Sequence, residues 1–250
     1  MKRTLQHPLQ RRALGTAFAA SQLLAGVALA QDCTRPEGLG PAVSFGGGSA
    51  AWIGPAGSPC DLSAVLDGAY NYRMGGFAAG QLPSAQSHFR ARFRVDTSGL
   101  TQLTQVTDST ALFTLVGAEN QPAEWNARSR HLAWIGLVGR FSATDLTVFL
   151  GDSSGLAKQV PVSGPFDLAV EVAAIESGYL KFWVNGTYSD PPTARLPEQG
   201  FVDLSAYEGI AGYAIGNMAP GTGFLPSHAG QPIVMRNIDF SEHLFGDGFE

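Results

Sequence analysis

Lysine is scarce: beyond residue 30 the chain has only Lys158 and Lys181. Four of the sixteen basic residues (Lys2, Arg3, Arg11, Arg12) come earlier, so residues 31–250 hold twelve basic against twenty-one acidic side chains, a net charge of −9. Nucleic-acid phosphates need a basic footprint, and anionic membrane surfaces need a polybasic cluster, so this balance argues against both as partners. Cysteine is limited to Cys33 and Cys60. Two cysteines cannot frame a disulfide-dense miniature fold, and their spacing matches neither C-x-x-C nor a zinc pattern. No segment after residue 30 is long and apolar enough to span a bilayer. No stretch there keeps a 3.6-residue apolar period for three turns, which argues against a helical bundle.

The first thirty residues read as an export leader. A basic start without acids precedes an apolar, alanine-rich run over residues 13–27, and Ala28-Leu29-Ala30 is an A-x-A cleavage site. The run is too short and too alanine-rich for a membrane anchor. Asp32 before Cys33 is wrong for a lipoprotein. The expected product begins at Gln31 and is exported to the periplasm, the cell surface or the medium. In such an oxidising compartment Cys33 and Cys60 are expected to pair, stabilising the chain by roughly 3–4 kcal/mol.

Residues 31–63 are rich in Gly, Pro and Ser and read mostly as loop, with a first strand at 42–45 or 50–53. Further on the pattern is β. Over residues 87–95, Phe89, Ala91, Phe93 and Val95 alternate with His88, Arg90, Arg92 and Arg94, which predicts a half-buried strand. Apolar or alternating runs follow at 111–116, 132–138, 146–150, 166–175, 179–184, 210–215 and 233–240. In the best-defined hairpin, Leu168, Val170 and Val172 share a face to which Leu180, Phe182 and Val184 return. Asn185-Gly186 then reads as a type I′ turn. Many short strands with frequent Gly and Pro predict an all-β antiparallel sandwich of jelly-roll type. The expected layout is a leader at 1–30, a disulfide-tied segment at 31–63, the sandwich at 64–241 and a tail at 242–250.

The segment from Phe166-Asp167-Leu168 to Val184-Asn185-Gly186, with the strand at 88–93 and the closing Asn237-Ile238-Asp239-Phe240, resembles concanavalin A-like/laminin-G-like domains. That resemblance implies a sandwich over about residues 65–240. The family includes lectins, adhesion modules, glycosidases and polysaccharide lyases, so fold alone does not choose a function. The ending Phe245-Gly246-Asp247-Gly248-Phe249-Glu250 resembles an F-x-D-G-F-E tail of exported Gram-negative proteins, for which sorting or a frayed terminus are the alternatives.

The motifs of catalysis are missing. Glycan hydrolysis needs two carboxylates about 5–9 Å apart. The E-x-D-x-x-E strand of concanavalin-type glycosidases does not occur, nor does a Q-x-H strand to accompany His88 and Arg90 as in lyases of this fold. Gly151-Asp152-Ser153-Ser154-Gly155 reads as a turn, and G-x-S-x-G, H-E-x-x-H and P-loop motifs are absent. Expected catalytic residues are therefore none. Binding candidates are Trp125, in a polar stretch, Trp183, facing away from Leu180 and Phe182, and the row Arg90, Arg92 and Arg94, whose guanidinium forks suit the carboxylates of an acidic glycan. The competing reading of the row is pairing with acids on neighbouring strands, and that of Trp134 is core. No metal ligand set is identified. No cofactor is expected, calcium held by Asp96, Asp108, Asp152 or Asp239 being the one alternative, through the resemblance. The expected function is a secreted, non-catalytic laminin-G-like module binding a glycan or a surface protein. The alternatives are a carbohydrate-active enzyme (glycosidase or polysaccharide lyase) with an unrecognised site, and a structural or sorting partner.

Overall fold

The computed structural model describes residues 33–70, 74–118, 131–141, 143–151 and 156–240. The leader, Trp125, the turn at 152–155 and the tail lie outside the described residues. In chain order the strands begin with β1 (Ala42–Phe45), β2 (Gly48–Ile53), β3 (Asp61–Leu66), β4 (Gly75–Gln86), β5 (His88–Asp96), β6 (Ser109–Gly117) and β7 (Ala133–Arg140). They continue with β8 (Ala143–Leu150), β9 (Leu156–Val162), β10 (Phe166–Ala173), β11 (Tyr179–Val184), β12 (Ala194–Leu196), β13 (Ile210–Met218) and β14 (Pro232–Asp239). A helix of five residues, α1 (Phe224–His228), precedes β14.

The strands form two seven-stranded sheets, β1-β4-β13-β6-β7-β8-β9 and β12-β11-β10-β5-β14-β3-β2, antiparallel throughout the described pairings. This is the expected antiparallel sandwich. One face of each sheet is apolar, so burying both faces against each other removes the largest apolar area from water. Phe89 and Phe93 of β5 meet Phe113 of β6, Tyr213 of β13 and Phe240. The Tyr213 and Phe240 rings lie 4.5 Å apart and those of Phe89 and Tyr213 5.2 Å apart. The alternation of β5 holds, with Phe89, Ala91, Phe93 and Val95 buried. So does the hairpin: Leu168, Val170 and Val172 stand opposite Val184, Phe182 and Leu180.

Two expectations are corrected. The Gly/Pro-rich stretch is not mostly loop: the expected strand at 42–45 forms as β1, and β2 and the first half of β3 follow, so the stretch contributes to both sheets. Glycines of β2 and β4 serve a close crossing of strands: a Cβ on Gly76 would lie 1.8 Å from the Ser49 carbonyl oxygen, and one on Gly48 would lie 2.2 Å from the Gly75 carbonyl carbon. Asn185-Gly186 is not a type I′ turn. Of the two only Asn185 takes a positive φ, 56°, and β12 begins eight residues beyond Gly186. Asn185 instead ties the loop back to β10, its N–H donating to Asp167 O (2.8 Å) and its Oδ1 accepting from Asp167 N (3.0 Å). Trp134 is core, as expected: it is buried with Phe77, Ala111, Val116, Ala214 and Met218 in a second apolar cluster, on the opposite face of the first sheet.

The disulfide forms between Cys33 and Cys60, with Cα atoms 5.1 Å apart. It fastens the start of the described chain to the entry of β3, reinforced by Thr34 N donating to Ser58 O and Cys60 N donating to Thr34 O.

Candidate functional site

The outer face of the second sheet gathers most of the cations that are paired among the described residues. Antiparallel register sets Arg90 of β5 opposite Glu171 of β10, Glu171 opposite Lys181 of β11, and Lys181 opposite Arg195 of β12. Period-two alternation puts all four side chains on one face, in a row running across the strands at about 4.8 Å per step. The row carries three positive charges around one negative charge.

Glu171 is its hub, only 7% exposed. Oε2 accepts from Arg90 Nε at 2.9 Å and pairs with Nη2 at 2.7 Å; Oε1 accepts from Lys181 Nζ at 2.9 Å and from the Tyr179 hydroxyl at 2.8 Å. Burial pushes this carboxyl upward, but the hydrogen bonds from Lys181, Tyr179 and Arg90 outweigh it and hold it below the usual carboxylate range. Tyr179 moves the other way. Burial first, then its bond to the Glu171 carboxylate, push its hydroxyl up to about 12. Aromatic rings lie beside the cations: Lys181 Nζ is 4.5 Å from the Tyr179 ring centre, Arg90 Cζ 4.7 Å from that of Tyr188, and Arg195 Cζ 4.9 Å from that of Phe201. Phe201 is 63% exposed and ends the row with an open ring.

The adjacent register line sets His88 and Tyr179 on either side of Ala173. They stand two strands apart, about 10 Å between backbones. Ala173 contributes only a methyl group between them. An imidazole and a phenol thus flank one small residue, with the cation row alongside.

Arg94 pairs with Asp167 at 3.2 Å, so acidic neighbours on β10 match two members of the arginine row. Arg92, the exposed member, faces Ala169 of β10 and Asp239 of β14. Trp183 is buried beneath the 185–193 loop, its Nε1 donating to Asp190 O at 2.8 Å and its ring edge-on to Tyr188 at 5.2 Å. That leaves little ring surface for a sugar. Asp96 accepts from Ser98 N and from Arg236, and Asp108 accepts from Thr104 N and Gln105 N. Among the described residues no three His, Cys, Asp or Glu side chains form a metal-holding group. Tyr179, Lys181 and Arg195 escaped the sequence reading. Alternation along β11 offered the signal, since it puts Tyr179 and Lys181 on the same face as Trp183.

The two sheets and their strand orders define an antiparallel β-sandwich of jelly-roll type. No protein-family model matches the sequence, and no curated protein does. The fold is similar to that of the endo-β-1,4-glucuronan lyase of the fungus Trichoderma reesei, with a TM-score of 0.51 and 10% identity over 81% of this chain and 90% of that one. The PL7 alginate lyase of Zobellia galactanivorans matches at a TM-score of 0.44 and 13% identity, covering 72% of this chain and 76% of its own. A laminarinase of Flavobacterium sp. UMI-01 matches at 0.44 and 10%, with the same coverages of 72% and 76%. The first of these is named as a lyase, and on that finding the expectation of a non-catalytic laminin-G-like binding module is corrected. At such identity the likeness carries the fold; the chemistry rests on this chain's own residues.

Proposed function

We propose that the protein is an exported carbohydrate-active enzyme that cleaves an acidic polysaccharide by β-elimination. The observation that carries this reading is the pairing of the Arg90–Glu171–Lys181–Arg195 row with His88 and Tyr179 across Ala173. Elimination from a uronate needs three things: cations on the carboxylate, a base for the C5 proton and an acid for the departing O4. The row supplies the cations. His88 takes the C5 proton as the C4–O4 bond breaks and a C4=C5 double bond forms. Tyr179, its hydroxyl held protonated across the neutral range, turns its proton from Glu171 to O4, breaking that hydrogen bond, and recovers one through solvent from His88. Phe201 offers a ring on which a sugar can stack.

Hydrolysis is less well supported on this face. Glu171 and Asp167 lie four residues apart on one strand, about 13 Å, beyond the span of a glycosidase pair. Both are also occupied by cations. The Cys33–Cys60 disulfide and the A-x-A leader support export.

The test is incubation of the purified protein with glucuronan, alginate and polygalacturonate, followed by ultraviolet absorbance of unsaturated uronates. At least one polyuronate is expected to yield such products, and His88→Ala to slow the reaction by about 10²–10⁴-fold. Reducing ends released without unsaturation would assign a hydrolase instead. No product from any of them would end the reading.

A further inference from the structure

A second constellation lies at one end of the sandwich, outside the cation row. Thr101, in the β5–β6 connection, is exposed and lines a cavity of 670 Å³ whose walls include Leu100, Gln102, Leu137, Thr144 and Phe166. Its Oγ1 lies 2.9 Å from Nδ1 of His228, in the last turn of α1. His228 is 2% exposed, and its other ring nitrogen, Nε2, has no hydrogen-bond partner. That nitrogen faces Asp108 Oδ2 at 3.8 Å, and Asp108 is 3% exposed. The carboxylate is itself fixed, since Oδ2 accepts from Thr104 N at 3.2 Å and Gln105 N at 3.0 Å. Room for it depends on a missing side chain: a Cβ on Gly223 would lie 2.5 Å from Asp108 Oδ1. Gln231 Oε1 accepts from Thr101 N at 2.7 Å and lies 3.1 Å from Thr101 Oγ1, which anchors the threonine backbone and gives the hydroxyl proton a second acceptor.

We infer that Thr101, His228 and Asp108 form a hydroxyl–imidazole–carboxylate relay that cleaves uncharged carboxylic esters entering the end cavity. The sequence of groups is that of an activated nucleophile: a threonine at a cavity wall, a base behind its hydroxyl, and a buried carboxylate 3.8 Å beyond the base. The cavity lining carries no charged side chain, which selects a neutral substrate such as an O-acyl group on a sugar. In the first step the Thr101 Oγ1–H bond breaks as Oγ1 bonds to the acyl carbon, and the proton passes to His228 Nδ1. His228 returns it to the departing alkoxide as the ester C–O bond breaks. Water then attacks the acyl-threonine by the same route, releasing the carboxylic acid and restoring the hydroxyl. The imidazolium that forms in between turns Nε2–H toward the Asp108 carboxylate. This activity is independent of the cation row.

The experiment treats the purified full chain with an alkyl fluorophosphonate probe and with 4-nitrophenyl acetate. Labelling should add one probe mass, mapped to Thr101. Thr101→Ser should keep labelling and ester cleavage; Thr101→Ala should lose the label and lower hydrolysis on the order of 100-fold, with melting temperature measured for each variant. A purely structural threonine would give unlabelled protein that melts normally, or ester cleavage unchanged in Thr101→Ala. Either result overturns the relay. If Thr101→Ala fails to melt cooperatively, the label's position on the unmodified chain and the behaviour of Thr101→Ser decide.

Discussion

Glu171 shows how a single carboxylate organises a face. Its partners come from three strand positions, Arg90, Lys181 and Tyr179, and each donates to it. Glu171→Gln removes the counter-charge while leaving two cations facing each other. Because Arg90 and Lys181 are partly solvated, screening discounts the loss, and a destabilisation of about 2 kcal/mol at pH 7 is expected in urea unfolding. The pH dependence follows from the lowered carboxyl. Its stabilisation is complete above the unfolded value near 4.5 and disappears as pH falls through the folded value, so the gap between the two proteins should close in acid. Tyr179 is raised to about 12, so its contribution is intact below pH 10 and fades between 10 and 12. A gap that stays constant from pH 7 down to 3 would remove Glu171 from the hub. Half of this site was legible in the sequence, because strict alternation exposes an arginine row as such. The other half depends on which strands become neighbours, and β5 meets β10 across more than seventy residues of chain. Nothing local to Arg90 announces Glu171.

At the scale of elements, alternation and turn chemistry were readable where a strand is half-buried, as in β5 and in the β10–β11 hairpin. They failed where both faces are covered. β6 is buried along its whole length, so its apolar run carries no period, and Trp134 on neighbouring β7 could not be assigned a face. They failed again in β2 and β4, where glycines that look like loop residues permit a crossing of backbones. Gly76→Ala tests that account: the new Cβ would meet the rigid Ser49 carbonyl at 1.8 Å, and a loss of roughly 3 kcal/mol is expected. Gly186→Ala is the matched control. Its Cβ would meet nothing nearer than 3.5 Å, and its backbone does not require glycine, so thermal unfolding should barely move. A large loss at Gly186 would restore the type I′ turn; a small one at Gly76 would show that the crossing yields.

For the whole molecule, charge poses a contradiction that decides the proposed substrate. Residues 31–250 carry a net charge of −9, which repels a polyuronate at long range. The cation row attracts it at contact. A domain of this length has a radius of gyration of about 17 Å. The Debye length is about 8 Å at 0.15 M salt, so most of the acidic surface is screened from a bound chain while the row is not. On the proposed reading the row governs binding at physiological salt, and its attraction weakens as salt rises further. The KM for a polyuronate should climb severalfold between 0.15 and about 0.5 M sodium chloride, with kcat changing less. If the whole-chain repulsion governed instead, added salt would lower KM. That outcome would place the substrate away from Arg90, Lys181 and Arg195, and would separate a wrong binding face from a wrong reaction, because the unsaturated product would still form.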